Sequence, residues 1–437
     1  MCPTGCALWL EIGLAATLRA MDQNQFYTQI FGITHPWAVA DVLLNVKDQE
    51  VTVLVDTEPS IQLVCPECNK ASPRYDKRPR RWRHLDTCQF MTTIEADVPR
   101  VTCPEHGVLQ VSVPWAERNS GFTALFECLV INWLKEASIQ AVADLCRMSW
   151  SQVDTILKNA VERGLLRREQ TYPERLGVDE TSFQKRHEYV TVVTDMDTST
   201  VLYVADNRKA ESLEGFFKPL TDVQRAAIRV VAMDMHQPFI KVVTESLHDG
   251  YRKIAFDRFH VAKHLGEAVD QVRRQEHQQL MERGDQTLKG SKYLWLMNPE
   301  SIDNPVQVAT FEALKECALK TGRAWTIKET ARELWGFAST ATAEKRWKQW
   351  IAWAIRCRLE PIKKAAAMIR NHLQGILTAV VTKTTNAASE SINSKIQWIK
   401  RTACGFRNRN RFRNAIYFHL GNLDLYPASA GITHTKS

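Results

Sequence analysis

The rhythm of hydrophobic and polar positions changes several times along the chain. Apolar and polar residues alternate in VADVLLNV and EVTVLVDT, within residues 36–64, and again in FMTTIEADVPRVTC. A period of two predicts strands with one buried face. Over residues 121–170 the spacing becomes helical. A helix over about 139–146, a break at Met148 and Ser149, and a second helix over 150–163 with Ser149 as N-cap predict a helix-turn-helix. GVDETSF, EYVTVVTDMDT and TVLYVADN then read as three strands joined by short turns. SLEGFFKPLTDVQ predicts a helix, IRVVAMDM a buried strand, PFIKVVTESLHDG a helix and KIAFDRFH a last strand. Three antiparallel strands followed by strand–helix units is the order of an RNase H-like core. Residues 262–380 are helical in period with no strand pattern. Trp347, Trp350 and Trp353, spaced by three, are expected to share one helix face.

Composition narrows this picture only a little. With 437 residues, 44% hydrophobic and 24% charged, the chain has the balance of a globular protein of several domains. A net charge of +8 fits a polyanionic partner without requiring one. Eleven cysteines, an odd number scattered through apolar stretches such as those around Cys128, Cys146 and Cys317, do not make a secreted disulfide framework. They fit free thiols in a reducing cytoplasm. No segment is long and apolar enough to span a membrane. Residues 1–20 lack the basic start and cleavage site of a signal peptide; they are expected to be a dispensable extension ahead of Met21.

Two short pairs depart from the scatter. Cys65-Pro-Glu-Cys68 and Cys103-Pro-Glu-His106 each set two ligands on a tight turn, and two such turns complete a tetrahedral shell for structural Zn²⁺. His84 and Cys88, between them, are alternative ligands. Lys70, Arg74, Lys77, Arg78, Arg80, Arg81 and Arg83 also lie between the pairs, with Asp76 the single acid within residues 70–83 and Tyr75 and Trp82 interleaved. Such a run is either a solvated loop or a phosphate-binding strip; Arg78, Arg80, Arg81 and Arg83 are the expected DNA contacts. Ser151 and Gln152, at the head of the second helix of the helix-turn-helix, are expected to join them.

The acids that end or interrupt the apolar strands carry the candidate chemistry. Asp179 lies within the first strand and Asp234 ends VVAM; Glu180 should point to the face opposite Asp179. A buried strand end holding a carboxylate needs a counter-charge. Carboxylates brought together suit Mg²⁺, which keeps positions open for water and phosphate. Asp257 and His260, in FDRFH, read either as a pair that orients such a site or as the cap of the next helix. Far along the chain, Glu390 opens a helical run, with Asn386 four residues before it. After it come Lys395, Lys400, Arg401, Arg407, Arg409, Arg411 and Arg413, with no acid until Asp424. Of these Lys395, Lys400, Arg401, Arg407 and Arg409 are expected to bind DNA.

CPEC…CPEHG, YDKRPRRWRHLD, the helix-turn-helix, GVDETSF, VVAMDM, FDRFH and NAASESINSKIQ together resemble the ISL3 family of insertion-sequence transposases over roughly residues 21–425. The resemblance implies a DDE enzyme whose triad is Asp179, Asp234 and Glu390. That triad would hold two Mg²⁺ ions, for which Mn²⁺ can substitute, with Asp257 and His260 in support. It implies binding to terminal inverted repeats, strand cleavage and strand transfer into target DNA, by a dimer or higher assembly at the bacterial nucleoid. His106 stands where a cysteine is common in the family, and MHQPF after Asp234 lacks the aromatic often found nearer that Asp. The expected architecture is multi-domain α/β. Residues 21–115 form a zinc-binding β module and 116–172 the helix-turn-helix. The RNase H-like core spans 173–262 and 381–425 around a helical insertion over 263–380, and 426–437 form a tail. A non-catalytic DNA-binding regulator derived from a transposase, a nuclease that cuts without joining, and a zinc hydrolase are the competing readings; a closed four-ligand zinc site argues against the last.

Overall fold

A computed structural model of the protein describes residues 22–184, 188–317, 319–384 and 387–430. The extension over 1–20 and Asn386 lie outside the described residues. The chain divides into two compact units, 1–160 with 425–437, and 161–424.

The first unit begins with α1 (Gln23–Ile30) and a sheet of β1 (Trp37–Asn45), β2 (Glu50–Thr57), β3 (Arg74–Arg83), β4 (Met91–Cys103) and β5 (Gly107–Gln110). The order is β1-β2-β4-β3, with β5 also paired to β4. Strict alternation along β2, where Val51, Val53 and Val55 are buried, builds its core with Trp82, Ile94, Val98 and Trp115. The basic run is therefore an edge strand, not a loop. Its partner β4 supplies antiparallel pairing from Arg74↔Val101 to Arg83↔Thr93. Trp82 anchors it at 1% exposure, in edge-to-face contact with Trp115. Three helices follow: α2 (Ala124–Glu136), α3 (Ile139–Leu145) and α4 (Trp150–Arg167). The α3–α4 break falls where the sequence put it, with Arg147 in a left-handed conformation (φ 53°). Ser149 Oγ accepts from Gln152 N (3.3 Å) and Gln152 Oε1 accepts from Ser149 N (2.8 Å). This reciprocal pair is a capping box.

The second unit holds β6 (Arg175–Gln184), β7 (Glu188–Asp195) and β8 (Thr200–Asp206), then α5 (Ala210–Phe217), α6 (Asp222–Ala227), β9 (Val230–Met233), α7 (Gln237–Ser246), α8 (Gly250–Lys253) and β10 (Ile254–Phe256). Strand order is β10-β9-β6-β7-β8; the three long strands are antiparallel, while β9 runs parallel to β6 and β10 to β9. The single helix expected from SLEGFFKPLTDVQ is two. Pro219 cannot continue a helix, and Thr221 with Gln224 caps a new one. After β10, to residue 384, the described residues are helical or connecting: α9 (Arg258–Met281), α10 (Lys292–Leu296), α11 (Pro305–Glu316), α12 (Lys320–Glu333), α13 (Thr340–Ile355), α14 (Glu360–Asn371) and α15 (Leu373–Thr382). They share one hydrophobic cluster with β6, β9 and β10. Gly375 lets α15 press onto the sheet: a Cβ there would lie 2.4 Å from Phe256. On α13, Trp347 and Trp350 are buried, but Trp353 is 42% exposed. A spacing of three falls about 60° short of a turn at each step, so the third residue rotates out of the core. The chain ends in α16 (Ala387–Thr402) and α17 (Arg409–Leu420). Among the described residues no helix is long and apolar enough to cross a membrane.

Candidate active site and metal centres

In the first unit the two knuckles converge. Backbone bonds from Asn69 N to Cys65 O and from Cys65 N to Lys70 O, each 2.9 Å, close the turn that carries Cys65 and Cys68. Cys103 ends β4, and His106 sits in the turn to β5, where Gly107 takes a φ of 71°. All four ligand atoms lie within 4.8 Å of one another. Cys65 Sγ is 3.8 Å from His106 Nδ1, Cys68 Sγ 3.7 Å from Cys103 Sγ, and Cys103 Sγ 3.5 Å from His106 Nδ1. A tetrahedral zinc ion with Zn–S of about 2.3 Å and Zn–N of about 2.0 Å has edges of about 3.8 and 3.5 Å. The donor set therefore fits zinc, and His106 serves through Nδ1. Its hydrogen bond holds the Cys103 thiol down at about 6. His84 and Cys88 are not part of the cluster. His84 packs 4.0 Å from the Phe31 ring with Nδ1 2.8 Å from Thr123 Oγ1, and burial, then Arg83, pushes its imidazole down to about 4. Cys88 is exposed.

The cations of β3 separate into two kinds. Arg83 is bonded to Asp86, to His84 O and to Thr92 O, and lies 4.9 Å over the Phe126 ring, so it is a structural group rather than a free phosphate contact. Arg80 is similarly committed, to Gln110 Oε1 (3.2 Å) and Ser120 O (3.3 Å). Arg78 is exposed, and Arg81 pairs across the strands with Glu95 (3.0 Å) while remaining 58% exposed. Arg83→Ala is expected to destabilise the first unit by about 1–3 kcal/mol, seen as an earlier unfolding transition. Arg78→Ala should leave that transition in place and lower the salt dependence of DNA binding by about one ion. Equal behaviour of the two variants would refute the division. In the helix-turn-helix Ser151 is exposed, whereas the Gln152 carbonyl is committed to the capping box.

In the second unit the register brings two acids together. β9 pairs with β6 up to Gly177↔Ala232. Two residues on, Asp179 lies within β6 and Asp234 just past the end of β9, near enough for the charge of one to act on the other. Burial raises the Asp179 carboxyl to about 6, with the charge of Asp234 adding to the effect. Asp257 follows β10 and is the N-cap of α9, accepting from Phe259 N (3.0 Å). One turn on, His260 Nε2 lies 2.7 Å from Asp234 Oδ1 and 3.9 Å from Asp257 Oδ2. Its pKa is raised, first by the hydrogen bond to Asp234. Asp257 therefore caps α9, one of its two sequence readings, and lies near the His260 that is bonded to Asp234. Asp234, Asp257 and His260 form one set of mutually close ligand atoms.

Asp179 and Glu390 border that set without joining it. Asn393 Nδ2 of α16 donates to Asp179 Oδ2 (2.6 Å). Glu390 is one turn earlier on the same helix, is exposed, and lines a cavity together with Asp257. α16 approaches β6 closely because residue 177 is glycine: a Cβ there would lie 2.6 Å from Thr194 Oγ1 and 2.8 Å from Ser389 Oγ. Nothing in the sequence around Asn393, within NAASESINSKIQ, marks it as a partner of Asp179. The same holds for the neighbouring Glu180, which lies 3.3 Å from His236 and 3.7 Å from Arg208. Burial, then the nearby Asp234 and Asp179, raises the Glu180 carboxyl despite Arg208. Of the basic residues after Glu390, Lys395, Arg401 and Arg407 are exposed. Lys400 instead donates to Ser182 O (2.7 Å), and Arg409 pairs with Glu188 (3.1 Å) over the Phe183 ring; both tie α16 and α17 to the sheet.

Three family models match the chain: a transposase over residues 176–416, the zinc-finger of transposase IS204/IS1001/IS1096/IS1165 over 62–106, and the helix-turn-helix domain of transposase family ISL3 over 111–161. The transposase for insertion sequence element IS1557 of Mycobacterium tuberculosis is 30% identical over 422 residues, covering 89% of this chain and 93% of the relative. The transposase for insertion sequence element IS1001 of Bordetella parapertussis is 25% identical over 355 residues, covering 80% and 87%.

Proposed function

The chain belongs to the ISL3 family of insertion-sequence transposases, and from that premise we propose that it cuts and joins DNA at an Asp179–Asp234–Glu390 site. The observation that carries the reading is the 2.7 Å contact of His260 Nε2 with Asp234 at the end of β9, next to the β6 strand that carries Asp179, whose carboxyl feels the charge of Asp234. The sheet order, three antiparallel strands extended by two parallel ones, supports an RNase H-like core with α9–α15 as its helical insertion.

The three carboxylates of the proposed triad, one of them raised to about 6, would supply oxygen donors that suit a hard divalent cation, Mg²⁺ or Mn²⁺. Bound there, a pair of such ions would polarise the scissile phosphate and favour ionisation of the attacking oxygen. Asn393 holds the Asp179 carboxylate in one orientation, and His260 does the same for Asp234. Glu390 approaches from α16 as the third acid. Hydrolysis at the transposon end frees a 3′-hydroxyl that attacks target DNA. The zinc module and helix-turn-helix select the ends in the bacterial cytoplasm, and Arg78, Arg81, Lys395, Arg401 and Arg407 take phosphates. Pairing of two ends calls for a dimer or larger assembly.

The test is Mg²⁺-dependent cleavage and strand transfer with DNA carrying the flanking ends of the gene. Sequence-specific binding without either reaction would make the protein a regulator; cutting without joining would make it a nuclease. Gly177→Ala provides an internal check. Its Cβ would push α16 away from β6, so cleavage should fall about tenfold or more while end binding holds. An unchanged rate would mean that α16 carries no part of the site.

A further inference from the structure

Resting on that reading, we propose that the cavity beside Asp257 and Glu390 receives a single unpaired nucleobase of the DNA end, turned out of the stack next to the phosphate to be cut. The cavity measures 530 Å³ and is lined by Arg258, Phe259, Trp335 and Lys383 as well as the two acids. That volume lies in the range of sites that enclose small planar ligands.

The lining has the composition that base capture needs. Aromatic faces stack on any base, and neighbouring cations take the phosphates on either side of it. Phe259 is 60% exposed in the first turn of α9. The Arg258 guanidinium lies 6.0 Å from the Trp335 ring, so one wall is both aromatic and cationic. Lys383 closes α15 in a left-handed conformation (φ 50°) and is exposed. A wholly acidic pocket would repel DNA; here the cations stand beside the acids.

The position of Phe259 gives the cavity a link to the chemistry. Its backbone N–H is bonded to Asp257, and the next residue, His260, is bonded to Asp234. The Phe259 and His260 rings meet edge to face at 5.8 Å. A base held on Phe259 therefore fixes its own phosphate in register with the carboxylates. The cost of unstacking is lowest at a mismatched or opened position, so capture also favours the end of the element over internal duplex.

The experiment uses the full-length protein and end duplexes with 2-aminopurine, or an abasic site, placed in turn at each nucleotide flanking the cut. In metal-free complexes the wild type should change 2-aminopurine fluorescence at least twofold at one position, and Phe259→Ala should abolish that change with end affinity preserved. In Mg²⁺, Phe259→Ala should cleave intact ends about tenfold more slowly. An abasic site at the same position should erase the difference, because no base remains to be held. Trp335 is partly buried, so Trp335→Phe, which keeps a stacking face, serves as its variant and should retain most activity. Wild-type fluorescence that changes at no position, or a Phe259→Ala defect equal on all abasic substrates, overturns the proposal. A fluorescence change that depends on Phe259 but no cleavage by the wild type upholds the pocket and overturns the catalytic reading.

Discussion

Asp234→Asn is expected to lower Mg²⁺-dependent cleavage by about a thousandfold or more while leaving end binding within about twofold. Asparagine keeps an oxygen that accepts the His260 hydrogen bond, so the strand end and α9 retain their contact. What disappears is the charge. The His260 pKa, raised first by the bond to Asp234, should fall back toward the ordinary histidine value. Asp179, relieved of its neighbour's repulsion, should ionise more readily. Cleavage at the normal rate by Asp234→Asn would end the triad assignment. Asp179 adds a test by pH. Its folded-state carboxyl, near 6, lies above the ordinary 3.8, so in the metal-free protein its contribution to stability is greatest below about 3.8 and is lost as pH rises through 6. At pH 8 the metal-free Asp179→Asn protein should therefore melt a few degrees higher than the wild type, while losing cleavage. Apparent Mg²⁺ affinity of the wild type should weaken as pH falls through 6, because a proton then competes for the same carboxylate.

What the sequence made legible follows from how local each signal is. The apolar run ending at Asp234 and the short GVDETSF segment around Asp179 are properties of single strands, and both strands are where the pattern placed them. The two knuckles are short turns, and they needed only to meet. Signals that depend on a neighbour were lost. Arg83 looks like its neighbours in the basic run until Asp86, Thr92 and Phe126 are seen around it. Lys400 and Arg409 look like phosphate ligands until β6 and β7 are placed beneath them. Asn393 is an unremarked polar position on a helix, and only the approach of α16 to β6 across Gly177 turns it into the partner of Asp179. Trp353 was misplaced by arithmetic alone, since three residues are not a whole turn.

Loss of zinc should abolish end binding by unfolding the first unit, and leave the second unit folded. β4 is the strand on which that unit depends: it pairs with β2, β3 and β5, and Cys103 is its last residue. Apart from its own turn and the isolated bridge Val64↔Ala71, the knuckle at Cys65 and Cys68 is tied down by the surface ion pairs Glu67–Arg118 and Lys70–Glu105, which contribute little. Cys65 and Cys103 are buried, and their thiolates need a cation to offset desolvation. Structural zinc binding contributes roughly 10–16 kcal/mol in small domains, as much as a whole domain's net stability of about 5–15 kcal/mol. Cys103→Ser, or chelation of the wild type, should therefore remove the early part of a two-stage melt and expose the β3–β4 ladder to hydrogen exchange. Specific affinity for the ends should drop about a hundredfold or more, toward the level of non-specific binding. The hydrogen exchange of β6–β9 should be unchanged, because none of the four ligands comes from the second unit. A zinc-free Cys103→Ser protein that still binds its ends and melts in the same two stages would show that the sheet stands on its hydrophobic core alone. His106→Cys separates the ligand from the residue: it keeps a four-donor shell and should retain folding and binding, whereas His106→Ala should lose both.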